Sequence, residues 1–399
     1  MSSAAAKVID PTPPEKPVIN VAKPQAKNNI DAALLKIANA SKTSPLKIMR
    51  DFVSLAFGPG KVSFQDYNRL RLFDTTFWAN TDRRTVAGQQ RSAAFYYHIN
   101  YRHDWWGLVE NKIASDAYLA AYGIPTIPLV ALYQENLNTG GTNVARNEQQ
   151  LRDILTDPSN FPMFGKPTEG EQSLGSVGLL RYLPSEKCLE THDLRQVPLD
   201  EFVGQLRAHY ASGYLFQKLV SPHADIRALC GDRLATVRIV TLLNDAGPKV
   251  FRACWKIPAG ANMADNYWRQ GNLLAQVDLA RGQVLRVLSG SGLDLIQVDR
   301  HPDNDAALVG FQIPHWQGMI DIVIEAARLM QHVPLIGWDV AVLDDGPVIV
   351  EMNERPDFML PQLADGRGIM EPELTELMTV QQQKCAAFKK ANARVFKAL

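Results

Sequence analysis

Residues 337–353 read Gly-Trp-Asp-Val-Ala-Val-Leu-Asp-Asp-Gly-Pro-Val-Ile-Val-Glu-Met-Asn, two apolar runs flanking Asp344-Asp345-Gly346. A turn of that composition between such runs specifies an antiparallel hairpin, so the C-terminal part of the chain must contain an antiparallel sheet. With a three-residue loop at 344–346, Leu343 pairs with Pro347, and counting outward sets Asp339 opposite Glu351. Directly opposed residues share a face with Cβ atoms roughly 5 Å apart, and strand alternation adds Asn353 to it. Trp338, Val340, Val342, Val348, Val350 and Met352 then point the other way. Facing carboxylates repel, and a hard divalent cation relieves the repulsion; magnesium takes one or two carboxylates together with phosphate oxygens. Asp339, Glu351 and Asn353 are therefore candidate metal ligands, with a solvated polar sheet face as the alternative.

The rest of the chain is read around this hairpin. Its 399 residues are enough for two or three domains with a substantial core. Lys plus Arg and Asp plus Glu are 42 each, so no net charge points to nucleic acid or an anionic membrane. No stretch approaches the ~20 apolar residues of a membrane span, and no signal peptide is apparent. Cys188, Cys230, Cys254 and Cys385 are scattered, which indicates neither a zinc site nor a disulfide framework. A cytoplasmic location is expected.

Prolines 11, 13, 14, 17 and 24 and scarce aromatics predict a disordered tail over 1–28. Helical spacing over 29–57 and 64–78 predicts a mostly helical N-terminal module up to residue 110. From 111 to 213 the pattern is that of a small αβ unit: a helix at 111–122, strand candidates at 127–133 and 161–167, and a helix at 199–211. From 214 to 399 it is rich in strands, at 214–220, 234–243, 249–257, 273–279, 284–288, 338–343 and 348–353. Helices are expected at 316–332 and 373–399. The fold class is α+β, with a mainly antiparallel sheet backed by helices.

Two further features bear on chemistry. Alternation puts Arg252, Cys254 and Lys256 on one face of a strand, and Thr236 and Arg238 on one face of the preceding strand. Cations on interior strands are costly unless paired, and either a phosphate, a carboxylate ligand or a nearby acid answers the need. Lys166 ends a strand and opens a loop containing Gly170, Gly175 and Gly178, which lets backbone N–H groups approach phosphate oxygens. A plain surface loop is the alternative. The loop matches neither the dinucleotide fingerprint nor the Walker A pattern.

Taken in order, these pieces resemble an ATP-grasp protein. The residues that carry the resemblance run from Asn111-Lys112 and Gly123-Ile124-Pro125, through Lys166-Pro167 with its glycine loop and the strand from Tyr214, to Asp339 and Glu351-x-Asn353. It covers roughly residues 100–365. Within that superfamily the chain looks closest to the sugar-transfer-associated, α-L-glutamate ligase-like proteins, through Ala235 to Thr241, Asp265-Asn266 with Gly271, Ala275-x-Val277-Asp278 and Gly337-Trp338-Asp339. It departs from the pattern at Gln217, where many relatives carry an acid, and at Asn272, where a second glycine is expected.

The resemblance implies an ATP-grasp fold, in which two α+β subdomains grip ATP. It implies ATP and Mg²⁺ as cofactors and small-molecule carboxylate and amine substrates, a sugar-linked acid or amino acid among them, in polysaccharide biosynthesis. Lys112 and Lys166 would contact the phosphates, with Gly170 and Gly175 in the loop that closes over them. Gln217 and Leu219 would lie along adenine, and Asp225 would bind ribose. Asp339, Glu351 and Asn353 would hold magnesium, with Arg238 and Lys166 acting on the reacting groups. The implied reaction is ligation through an acylphosphate. A kinase acting on a sugar hydroxyl and a non-catalytic nucleotide-binding module are the alternatives.

Overall fold

The helical period near the start of the chain produces real helices, shorter than the pattern alone suggests. The computed structural model describes residues 30–135, 143–169, 175–260 and 262–392, so the expected tail over 1–28 lies outside the described residues. Helices Ile30–Ala40 and Pro45–Ala56 form the first pair, the second capped by the Ser44 side chain with proline at its first position. The helix expected over 64–78 covers only Phe64–Arg69. It starts with a reciprocal capping box between Ser63 and Asp66 and stops because Arg71 turns into the left-handed region, with φ 52°. Helices Gln89–Ile99 and Trp106–Glu110 complete the module.

Downstream lie two seven-stranded sheets. The strands are β1 (Leu129–Tyr133), β2 (Val144–Ala145), β3 (Met163–Pro167), β4 (Val177–Leu183), β5 (Cys188–Thr191), β6 (Gln196–Pro198), β7 (Tyr214–Lys218), β8 (Thr236–Asn244), β9 (Gly247–Ile257), β10 (Leu273–Val277), β11 (Val284–Ser289), β12 (Ile296–Gln297), β13 (Leu335–Leu343) and β14 (Gly346–Asn353). The first sheet has the order β2-β1-β7-β3-β4-β5-β6, and the second β12-β11-β10-β9-β8-β13-β14. Strand β7 therefore pairs inside the first sheet, between β1 and β3, so the two sheets separate after Lys218 and not at 213/214. Every pairing in the second sheet is antiparallel.

Each sheet buries one face on helices and turns the other, of mixed polarity, toward the site. In the first sheet, Ala131, Met163, Leu179 and Phe216 pack on helices Glu148–Thr156 and Leu199–Tyr210. In the second, Val237, Ile239, Trp255 and Trp338 pack on helix Trp316–Leu329. The opposite face of the second sheet carries Arg238, Lys256 and Asp339, and it is the face that the N-terminal module covers. Tyr67, Trp78 and Leu72 reach Cys254, Leu274 and Leu288 there, while Phe95, Tyr96 and Ile99 meet Val240, Leu242 and Leu335. Asn100 is fully buried and bonds three backbone groups: its Nδ2 donates to the carbonyls of Leu335 and Glu354 at 2.8 Å each, and its Oδ1 accepts from Leu335 N–H at 3.0 Å. Trp106 and Tyr96 are buried in the same contact. Trp106 donates to Asn100 O and the Tyr96 hydroxyl donates to Pro356 O, so both serve packing.

The terminal hairpin differs from expectation in its turn and agrees in its consequence. Leu343 pairs with Gly346, leaving a two-residue loop at Asp344-Asp345. A bulge at Val350 then restores the count, so Asp339 does oppose Glu351. The bulge also changes the faces: Ile349, not Val348 or Val350, joins Val340 and Trp338 in the apolar core, and Val350 lines a cleft.

Candidate active site

The polar face of the second sheet and the uncovered face of the first enclose a cleft of about 810 Å³. On the first sheet, β3 and β7 pair so that Phe164 faces Gln217 and Lys166 faces Leu215; Phe164, Lys166 and Gln217 line the cleft. On the second, Arg238, Lys256 and Asp339 do so. Lys112, Leu219, Glu351 and Asn353 complete the expected set within the same cavity.

Asp339 is the electrostatic centre. Its Oδ1 accepts from Arg238 Nε at 2.5 Å and its Oδ2 from Arg238 Nη2 at 3.0 Å, in the two-pronged geometry that a guanidinium favours. Lys256 Nζ donates to the same Oδ2 at 3.0 Å. Burial alone would raise the Asp339 pKa, but Arg238 and Lys256 override it and hold the carboxyl well below the usual range. Asp265 extends the cluster, 3.5 Å from Lys256 and accepting from Thr236 N–H at 2.7 Å. Gly337 makes room: a Cβ there would stand 2.7 Å from Pro356 Cβ and 3.1 Å from Arg238 Cδ.

Glu351 is paired elsewhere, 3.2 Å from Lys112 Nζ, and remains about one-third exposed. Lys112 is the first residue of helix Lys112–Ala121, which Asn111 caps by accepting from Ile113 and Ala114 N–H. Asn353 Nδ2 sits 3.4 Å from Gly337 O, leaving its carbonyl oxygen as a ligand atom. Among the described residues no three His, Cys, Asp or Glu side chains converge as a metal set. The oxygen donors present are two carboxylates and one amide, a set that suits magnesium completed by phosphate oxygens. Glu351 and Asn353 are accessible for this, whereas Asp339 would have to exchange a cation contact.

Lys166 is the opposite case. Its side chain is 8% exposed and lines the cleft, yet it makes no hydrogen bond or ion pair among the described residues. Burial pushes its pKa down, against the pull of Glu351 and Asp116. Asp116, on the Lys112–Ala121 helix, accepts from Gln217 Nε2 at 2.8 Å, and burial pushes its carboxyl up to about 6.

The remaining candidates fall outside this lining. Asp225 lies on helix Ala224–Cys230 with its carboxylate 3.7 Å from His223. The Gly175 carbonyl accepts from the Tyr214 hydroxyl at 2.8 Å, which anchors the end of the glycine loop. Gly170 lies outside the described residues. The expected strand-to-loop reading also missed β4, which begins at Val177 and takes in Gly178. Arg69, from the N-terminal module, and Trp268 are among the lining residues that the sequence reading did not assign to the site. A lone arginine at a helix end carries no local signal of ligand binding.

Residues 187–378 match the sugar-transfer associated ATP-grasp family. No curated protein matches the chain. Among solved structures it is similar to an N5-carboxyaminoimidazole ribonucleotide synthetase in its ADP complex, at 15% identity and TM-score 0.36, over 63% of this chain and 46% of that one. It is similar to the D-alanine-D-alanine ligase from Coxiella burnetii at 14% identity and TM-score 0.39, over 73% and 61%. The L-amino acid ligase from Bacillus licheniformis gives 11% and 0.39, over 68% and 50%. The chain thus spans only 46% and 61% of the first two structures' own lengths. The α+β expectation holds: two mainly antiparallel sheets backed by helices, with a largely helical N-terminal module. No helix among the described residues is long and apolar enough to cross a membrane.

Proposed function

We propose, from the match of residues 187–378 to the sugar-transfer associated ATP-grasp family, that this protein binds Mg-ATP between its two sheets and uses it to join a small-molecule carboxylate to an amine, releasing ADP and phosphate. The observation that carries the reading is Lys166, a buried cation facing an 810 Å³ cleft with no anionic partner among the described residues. A buried ammonium with no direct ion pair is costly, and a phosphate chain offsets the cost.

The roles follow from position. Lys166 and Lys112 hold the phosphates from the first sheet and the Lys112–Ala121 helix. Gln217, fixed by Asp116, and Leu219 lie along the base. Asp225 is not assigned to ribose, because its carboxylate turns to His223. Glu351 and Asn353, with Asp339, would hold magnesium, whose contribution when bound is to neutralise charge on the phosphates.

Phosphoryl transfer needs charge neutralisation and alignment more than a covalent catalyst. A carboxylate oxygen of the acid attacks the γ-phosphorus and ADP leaves, giving an acylphosphate. The amine then attacks the carbonyl carbon, an amide forms, and phosphate departs as the amine loses a proton. Arg238 faces this charge from the second sheet, held in line by Asp339. The sugar-transfer association of the family supports sugar-linked substrates in polysaccharide biosynthesis, in a cytoplasmic setting where ATP is supplied.

The test is a screen of acid and amine pools for ADP release, followed by mass spectrometry of the product. Release that requires both pools supports ligation. A stable phosphorylated product formed without amine would identify a kinase instead, and absence of ATP binding would end the reading.

A further inference from the structure

Lys166 is not the only cation of the cleft without a counter-ion. Arg69 ends helix Phe64–Arg69 in the N-terminal module, lines the same cavity, and forms no hydrogen bond or ion pair among the described residues. Its guanidinium instead lies 3.5 Å from the centroid of the Trp268 ring. Stacking of this kind holds the plane while leaving N–H edges able to donate.

The acids nearest in effect are already committed. Asp357 accepts from Trp268 Nε1 at 2.7 Å and from Met359 N–H at 3.0 Å. Asp66 accepts through Oδ2 from Ser63 and Gln89 N–H. Both act on Arg69 only through space, and burial disfavours its charge. The Asp357 carboxylate also acts on Arg238, which ties the Arg69 corner to the polar centre of the second sheet.

We infer that Arg69, stacked on Trp268, anchors an anionic group of the substrate that is not the nucleotide, so that this substrate is an acid carrying a second anionic group besides the one that reacts. The inference rests on the nucleotide reading for where the reaction occurs, but not for the anchor itself. Lys112 and Lys166 hold one anionic ligand from the first sheet's side. Arg69 holds another from the module's side, and Arg238 with Asp339 lies on the sheet between them. The helical module thereby supplies a specificity-determining side chain.

Matched probe pairs test this on the full chain: succinate against butyrate, glutarate against valerate, and 3-phosphoglycerate against glycerate. Binding is measured by calorimetry or ligand-observed NMR, with and without magnesium and a non-hydrolysable ATP analogue. The wild type should favour the doubly anionic member of at least one pair by about tenfold or more, the scale of one charge-assisted hydrogen bond. A larger gap for the phosphoglycerate pair assigns the anchored group as phosphate, and a larger gap for the dicarboxylates assigns it as carboxylate. Arg69→Gln should erase the preference and Arg69→Lys should retain part of it, with nucleotide affinity and melting temperature near wild type in both. Lys166→Met should do the reverse, losing nucleotide affinity while keeping the preference, so the failure of one site is distinguishable from failure of the other. No preference in the wild type, or a preference undiminished in Arg69→Gln, overturns the inference. If Arg69 served packing alone, its variants would lower the melting temperature and leave the probe pairs unchanged.

Discussion

Asp339 and Glu351 stand opposite each other on neighbouring strands, and each carboxylate is neutralised by a different set of cations. The Asp339 set is buried; in the other pair Glu351 is about one-third exposed and Lys112 12%. Removing one member of a buried ion pair strands the others and costs about 3–5 kcal/mol, whereas an exposed pair contributes roughly 0–1 kcal/mol. Asp339→Asn should therefore lower stability by about 3–5 kcal/mol in urea unfolding followed by tryptophan fluorescence. Glu351→Gln should stay within about 1 kcal/mol of wild type while abolishing turnover. Equal stability losses, or full activity in Glu351→Gln, would contradict the division of roles.

Lys166 titrates in the direction opposite to an ordinary ion-paired lysine. Burial lowers its folded pKa, so the folded state binds fewer protons than the unfolded state in the window below the usual lysine value of about 10.4. Stability should rise through that window as pH rises, and Lys166→Met should flatten the rise. The same substitution should weaken nucleotide binding by about tenfold or more, the loss of one charge-assisted contact. Thermal melts across alkaline pH and nucleotide titrations check the two halves separately.

Asp116 gives a second pH signature at the acid end. Burial lifts its carboxyl from 3.8 to about 6. The folded state then keeps this proton to higher pH than the unfolded state, so its contribution to stability is lost as pH rises from 3.8 to about 6. Asp116→Asn removes that loss, and its melting temperature should vary less across this window than that of the wild type. Because Asp116 also orients Gln217, the variant should bind the nucleobase more loosely.

Asn100 joins the module to the second sheet through three backbone groups. Asn100→Ala leaves them unsatisfied in the interior, each at roughly 1–3 kcal/mol, so a loss of about 3 kcal/mol or more is expected. Asn100→Asp keeps the acceptor for Leu335 N–H but sets a charge against two carbonyls, and should be worse than a simple lost bond. Urea midpoints of the two variants decide this.

How much of this was legible beforehand depended on range. Hairpin composition and alternation located Asp339, Glu351 and Asn353 because those rules act within a few residues. The count survived by compensation: the loop is one residue shorter than assumed, and the bulge at Val350 takes up the difference. Strands β4, β5 and β6 were missed because Val177 lies between Gly175 and Gly178 in a stretch that reads as loop, and the β5 and β6 runs are only four and three residues long. The pairing of Arg238 and Lys256 with a single aspartate was not readable either. It depends on the register of β8, β9 and β13 together, which spans about a hundred residues of sequence. Arg69 was invisible for the same reason: Trp268 lies almost two hundred positions away.

The bonds between the module and the second sheet also bear on how the chain matures. Ala87 exchanges hydrogen bonds with Gln362, 275 residues further on, and Asn100 waits for Leu335 and Glu354. During synthesis, therefore, the module's helices emerge before the partners of Ala87 and Asn100 and before the sheet that covers their apolar surface. They can be completed only once the chain has been made through Gln362.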